Sequence, residues 1–332
     1  MRCERIDPAD LALSTAEEMA AVAAAEAAVE TPTAIPPSAE GILLQARHGH
    51  DDHPNDALWL VRADEGDLLG FGSVDVTHWD NPHLAFVFCN VAPAARAKGV
   101  GTRLVEAQLT EARKLGRSTL LTFTPMDGHA ARFLAANGFE VGQHEAQRRL
   151  EPRNLDYPHV EELASRAAAA ASEYELVRLD GPASEEMLPE LTAVFEAIND
   201  APNDDLALDP DRFPPERLRR YDAAMTARRQ HVYRVLARHR RTGEWAGHTI
   251  LCVDDTRPGY GVQEDTSVVR AHRGHQLGMW LKATMLLWMR EEQPALTTID
   301  TWNATTNTHM IAVNDALGCR VSALGVAMQR RV

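Results

Sequence analysis

Two short segments carry residue types whose spacing suits one kind of chemistry. Arg96-Ala-Lys-Gly-Val-Gly101 and Arg273-Gly-His-Gln-Leu-Gly278 each follow a β-branched run, and each leads at once into a long amphipathic stretch. Small residues in such a turn let successive backbone N–H groups converge on one concavity, and the partial positive charge of the following helix favours an anion there. The chemistry is phosphate binding. Arg96, Lys98, Gly99, Val100, Gly101 and Thr102 build the first cradle, and Arg273, Gly274, His275, Gln276, Leu277 and Gly278 the second. Gln276 stands where the middle glycine would be, which either narrows the cradle or is tolerated, since any residue but proline keeps its N–H donor. Neither turn is a Gly-Lys-Ser/Thr P-loop, nor a Gly-x-Gly-x-x-Gly turn with a following acidic partner.

The turns belong to a larger repetition. Arg96 and Arg273 lie 177 residues apart, and Leu134-Ala-Ala-Asn-Gly-Phe139 matches Asn314-Asp-Ala-Leu-Gly-Cys319 at an offset of 180. The first copy reads as a helix over 8–29, a Pro- and His-rich loop to Asn55, strands near 57–63, 68–77 and 84–91, a helix 100–115, a strand 118–124, a helix 128–137 and a strand 139–150. An Ala-rich helical connector, 153–173, separates it from the second copy. That copy reads as a strand at 174–179, helices near 185–198 and 214–228, strands 231–239, 245–253 and 260–269, a helix 275–291, a strand 297–302, a helix 307–316 and a strand 319–330. The domains expected are 1–152 and 174–332.

The pattern Q/R-x-x-G-x-G/A ahead of a helix, present at Arg96 and less perfectly at Arg273, resembles the signature of the GNAT superfamily of N-acetyltransferases. The resemblance spans both copies. It implies an α/β (α+β) fold of two tandem domains, each a central mixed, mostly antiparallel, splayed β-sheet flanked by helices. It further implies acetyl-coenzyme A as co-substrate, pyrophosphate on the cradles, and pantetheine along a splayed strand at Val91 or at Val268 and Val269. The acetyl group would pass to a primary amine of a small molecule by direct attack.

In that family the base is an acidic residue on the strand before the turn. Counting back from Arg273 reaches Glu264 and Asp265, whereas the same count from Arg96 reaches Val87 and Phe88. The second copy is therefore expected to be catalytic, with Asp265 or Glu264 as base and the first copy degenerate or structural. The alternatives are an active first copy, or a coenzyme A-binding scaffold without catalysis. The family's usual acid, a tyrosine, is replaced by Leu134 and by Asn314, of which only Asn314 can hydrogen-bond a thiolate. Asn303 and Asn307 bracket the entry to the last helix and are expected at the cofactor, Asn307 also as a helix cap.

Composition restricts the partners. With 34 Lys plus Arg against 48 Asp plus Glu, the net charge is -14 and no basic cluster suits nucleic acid. The acid excess suits a cationic amine acceptor, and the segment 199–206 is acidic enough to steer one. No apolar run reaches membrane-spanning length, and the N-terminus lacks the basic-then-apolar order of a secretory signal, so a cytoplasmic monomer or homodimer is expected. Cys3, Cys89, Cys252 and Cys319 lie far apart and read as free buried thiols. The segment His48, His50, Asp51, Asp52, His53 reads as a solvated loop rather than a zinc site, and no metal is expected.

Overall fold

The computed structural model describes residues 1–332. Two compact units make up the chain: Met1–Glu145 with Asn203–Asp209 and Ala323–Val332, and Ala146–Pro202 with Pro210–Ser322. The first contains β1 (Arg2–Ile6), α1 (Leu13–Glu30), α2 (Ala39–His48), β2 (Ala57–Arg62), β3 (Leu68–Asp75), β4 (Leu84–Val91), α3 (Val100–Lys114), β5 (Thr119–Pro125) and α4 (His129–Ala136). Strand β6 (Glu140–Leu150) begins there and ends in the second unit, which holds α5 (Tyr157–Ala170), β7 (Tyr174–Asp180), α6 (Leu188–Glu196), α7 (Pro215–Ala227), β8 (Gln230–His239), β9 (Trp245–Asp254), β10 (Tyr260–Val268), α8 (Leu277–Glu292), β11 (Thr298–Ala304) and α9 (Thr308–Ala316). The last strand, β12 (Arg320–Arg331), returns to the first unit and pairs with β5 antiparallel from Gly325↔Pro125 to Arg331↔Thr119.

The first unit therefore has the strand order β1-β2-β3-β4-β5-β12 and the second the order β6-β11-β10-β9-β8-β7. The copies at 1–152 and 174–332 repeat a chain order, while each compact unit is closed by the other copy's final strand.

Both sheets are covered on both faces, which is why their strands read as continuous apolar runs. On β2, Trp59 and Val61 face the core built on α3, whereas Leu58 and Leu60 face the core under α1 and α2. In the second unit Tyr233, Val235 and Ala237 of β8 join the α8 core, and Val232 and Leu236 join the α6–α7 core.

Each sheet splays at one parallel pair. β4 and β5 match only over Leu84↔Thr119, Ala85↔Leu120 and Phe86↔Leu121. β10 and β11 match only over Tyr260↔Thr298, Gly261↔Ile299 and Val262↔Asp300. Beyond those residues, the facing edges of β4 and β10 have N–H and C=O groups to offer a ligand. β10 also carries a bulge: Gln263 pairs with Leu251 but Thr266 with Thr249, so Glu264 and Asp265 share an irregular step.

Candidate acetyl-transfer clefts

In the first unit the splay and the glycine turn open into one cavity of about 550 Å³, lined by β4 from Val87 to Val91, by Thr122–Thr124 of β5, by the turn from Arg96 to Thr102 and by the start of α4. Ala97 and Gly99 both take left-handed backbone angles, φ 59° and 82°, and α3 starts directly after Gly99. A Cβ built on Gly99 meets nothing within 4 Å, so the turn faces open space. At Gly101 a Cβ would lie 2.9 Å from the Phe133 ring, so glycine there lets α4 close over the helix start. A helix N-terminus with free N–H groups beside an open groove fits a pyrophosphate, and the unpaired edge of β4 fits a pantetheine arm.

The ionisable groups of this cleft differ sharply in character. Cys89 is half-buried, its thiol donates to Gln108 Oε1 at 3.2 Å, and desolvation pushes its pKa up to about 12. It stays protonated at neutral pH and is no nucleophile. Glu26 of α1 reaches the cavity from the other side, accepts from Asn90 Nδ2 at 2.6 Å, and lies 3.5 Å from the Arg96 guanidinium. Burial raises its carboxyl above the ordinary value, opposed by the hydrogen bond from Asn90, by Arg96 and by the Val91 N–H. Arg96 is held mainly by Glu30 at 2.7 Å, and the second oxygen of Glu30 accepts from His129 N, capping α4 at 2.7 Å. The Arg96 side chain is thus tied to α1, while its backbone enters the turn. Lys98 and Thr102 are exposed at the rim, and Val100 is buried.

The second turn has the same backbone with the residue types exchanged. Gly274 and Gln276 take φ 87° and 57°, so in each turn one left-handed position holds glycine and the other does not. Gln276 therefore preserves the cradle's shape, at a backbone cost of about 1 kcal/mol or more. Leu277 is buried as the first residue of α8, Gly278 has open space around it, and Val268 packs against the α8 core. Asp200 bridges this turn's two arginines, at 3.0 Å from Arg270 and 2.7 Å from Arg273, and the Arg270 bond holds its carboxyl below the usual range. The His275 ring lies 5.4 Å from that of Tyr174, whose hydroxyl meets His272 Nδ1 at 3.1 Å.

The carboxylates expected as bases part company at the bulge. Asp265 is bound to buried His248 at 2.6 Å and to Ser267 Oγ at 2.5 Å, both internal partners. Glu264 is open to solvent yet deep in the protein mass, which raises its carboxyl while Arg228 opposes. Asn314 is fully buried and donates to Asn303 at 2.7 Å, so these two expected site residues are brought together with each other. Asn307 caps α9, accepting from Met310 N at 3.2 Å. Of the acidic segment 199–206, Asp200 sits at the second turn, while Asp205 N bonds Gly142 O in the first unit.

Two functional-looking residues escaped the sequence reading. Glu26 lies in an Ala-rich helix with no motif around it. Lys282 occupies a core position of α8, where burial pulls its pKa down to about 8, partly opposed by Cys319 and Asp265. An unfolded lysine titrates near 10.4, so the penalty for holding the charged form inside is complete below about pH 8 and vanishes as pH rises toward about 10. Lys282→Met is accordingly expected to stabilise the protein by on the order of 1–3 kcal/mol at pH 7, with the gain shrinking in alkaline thermal melts. A gain that does not change with pH would refute the electrostatic origin.

Residues 24–139 match the model of the acetyltransferase (GNAT) family. A tandem GNAT protein from the clavulanic acid biosynthesis pathway is similar over 99% of this chain and 98% of its own, at 25% identity and a TM-score of 0.80. A GCN5-related N-acetyltransferase from Sphaerobacter thermophilus shares the fold over 99% of this chain and 95% of its own, at 16% identity and a TM-score of 0.67. No curated protein matches by sequence. Residues 24–139, which hold the splay of the first sheet and its glycine turn, thus match the GNAT acetyltransferase family, and the chain as a whole, with a second splayed sheet and turn, has a fold similar to that of a tandem GNAT protein.

Proposed function

We propose that this protein transfers an acetyl group from acetyl-coenzyme A to the primary amine of a small molecule, and that the first unit's cleft is the place of transfer. The observation that supports this reading is the cavity running from the Gly99 turn along the splayed edge of β4 to Glu26. The turn's N–H groups hold the pyrophosphate, and β4 offers N–H donors to the pantetheine and to the oxygen that gains charge in the transition state. Glu26 takes the proton from the acceptor ammonium, the amine nitrogen bonds the acetyl carbon, and the carbon–sulfur bond breaks. A thiolate needs little help in leaving, since a free thiol titrates near 8.5. Protonated Cys89 leaves no thiolate for an acyl-enzyme, which favours direct attack. The acidic chain, with its net charge of -14, suits a cationic acceptor.

The second reading keeps the enzyme and moves the chemistry to Glu264, whose position on the β10 bulge and raised carboxyl favour it. Calorimetry with acetyl-coenzyme A separates the two. We expect one equivalent per chain, weakened at least tenfold, or about 1.4 kcal/mol, in Gly99→Val and unchanged in Gly274→Val. The opposite pattern assigns the cofactor to the second turn, and no binding at all overturns both readings.

A further inference from the structure

Outside the cleft, the first unit gathers His53, Asp56 and His78 so that one ligand atom from each lies within 4.8 Å of the others. We propose that these three side chains bind a divalent first-row transition-metal ion, zinc being the ion the donor set fits best, with water completing the shell.

The geometry is built by the strand ends. Asp56 immediately precedes β2; its N–H bonds Val74 O at 3.0 Å, and its Oδ2 accepts from Val76 N at 2.8 Å. One carboxylate oxygen is thereby fixed and the other left for a ligand. His78 leaves β3 three residues beyond its end. The loop before β2 is pinned by His53 N to His48 O at 2.9 Å and by Asn55 N to Ala46 O at 3.0 Å, which sets His53 over the pair. The His53 and His78 rings stand 4.2 Å apart at 43°. His53 Nδ1 meets the Pro54 carbonyl at 2.8 Å, and a ring that donates there presents its Nε2 lone pair outward, the arrangement by which outer-shell carbonyls orient metal-binding histidines.

The donor set is chemically coherent. Two imidazoles and a carboxylate are the ligands of an open zinc site, whose donors lie about 3.3 Å apart when each is 2.0–2.1 Å from the metal. Closing from within 4.8 Å to that spacing asks for side-chain rotation of half-exposed and exposed residues. Two rings this close repel one another when both are protonated, and a dication replaces that repulsion by attraction. Asp51 adds negative charge near His78, and Arg117 opposes it from beyond Thr77, where its guanidinium bonds the Thr77 and Pro82 carbonyls. His48, by contrast, is taken by Asp52 at 3.2 Å, whereas His53 faces Asp56 and His78 across the strand pair.

Full-length, chelator-treated protein titrated with zinc by calorimetry, and with cobalt by visible absorption, tests the site. The expected result is one equivalent of zinc at micromolar or tighter affinity, weakened at least tenfold in both His53→Gln and His78→Gln and unchanged in His48→Gln. Cobalt should give a low-coordinate visible spectrum that both site variants lose. Circular dichroism of the variants confirms that the fold is intact; His78 is exposed, so its variant remains informative should His53→Gln perturb the loop. Absence of stoichiometric zinc binding, or equal affinity in the wild type and in folded His78→Gln, overturns the proposal.

Discussion

Replacing Glu26 by Gln should lower kcat by roughly 10²-fold or more while leaving acetyl-coenzyme A affinity within about threefold, because general-base catalysis typically contributes 10²–10⁴. The amide keeps the shape of the carboxylate and an acceptor for Asn90, and Arg96 remains anchored by Glu30 at 2.7 Å, so the cleft should keep its form. What is lost is the carboxylate beside β4 that takes the ammonium proton, and Cys89, held as a thiol, does not replace it. The pH profile carries the sharper signature. Burial raises the Glu26 carboxyl, so wild-type kcat should fall on the acid side at a pH above the ordinary glutamate range, as the base becomes protonated. In Glu26→Gln that limb should disappear, and activity should recover at high pH where free amine is supplied by the solvent. Undiminished turnover in Glu26→Gln, combined with its loss in Glu264→Gln, would assign the base to the second unit.

That prediction also marks how far the residues could be read in one dimension. Elements with strong periodicity were legible: the strand expected over 84–91 is β4, and the helix expected over 100–115 is α3 within a residue. α2 was hidden in a Pro- and His-rich stretch, although Ser38 caps it by accepting from Gly41 N at 2.9 Å. β1 was missed because its five residues, none of them buried, carry little apolar alternation to detect. Both glycine-containing turns were legible because the glycines and a helix start are contiguous. The state of the carboxylates near them was not, because burial and partners decide it. Asp265 looks like a free strand-end carboxylate until His248, seventeen residues away, is placed against it. Glu26 reaches the cleft only because α1 crosses β4, a contact of high sequence separation. The exchange of closing strands was equally invisible, since swapping two equivalent strands leaves every local pattern unchanged.

The residues that fix the exchanged strand in the second unit predict the largest stability effect. Asp300, on β11, is wholly buried and receives Arg149 of β6 through two bonds of 2.7 Å, with Gln147 adding a third at 3.0 Å. Removing one member of such a pair costs about 3–5 kcal/mol, because an unpartnered charge remains inside, whereas replacing both by apolar residues is often neutral. Asp300→Ala should therefore destabilise the second unit by about 3–5 kcal/mol in denaturant unfolding, and the double variant Asp300→Leu with Arg149→Met should recover most of that loss. The aligned Leu120–Thr122 region of β5 carries no carboxylate for Arg330, Gln329 and Met328, which β12 brings opposite it, so of the two strand pairs only β6 with β11 has such an ion pair. That asymmetry gives β6 one charged partner and one register. If Asp300→Ala costs less than about 1 kcal/mol, the strand is held by its backbone ladder and apolar contacts, and the ion pair is incidental to the exchange.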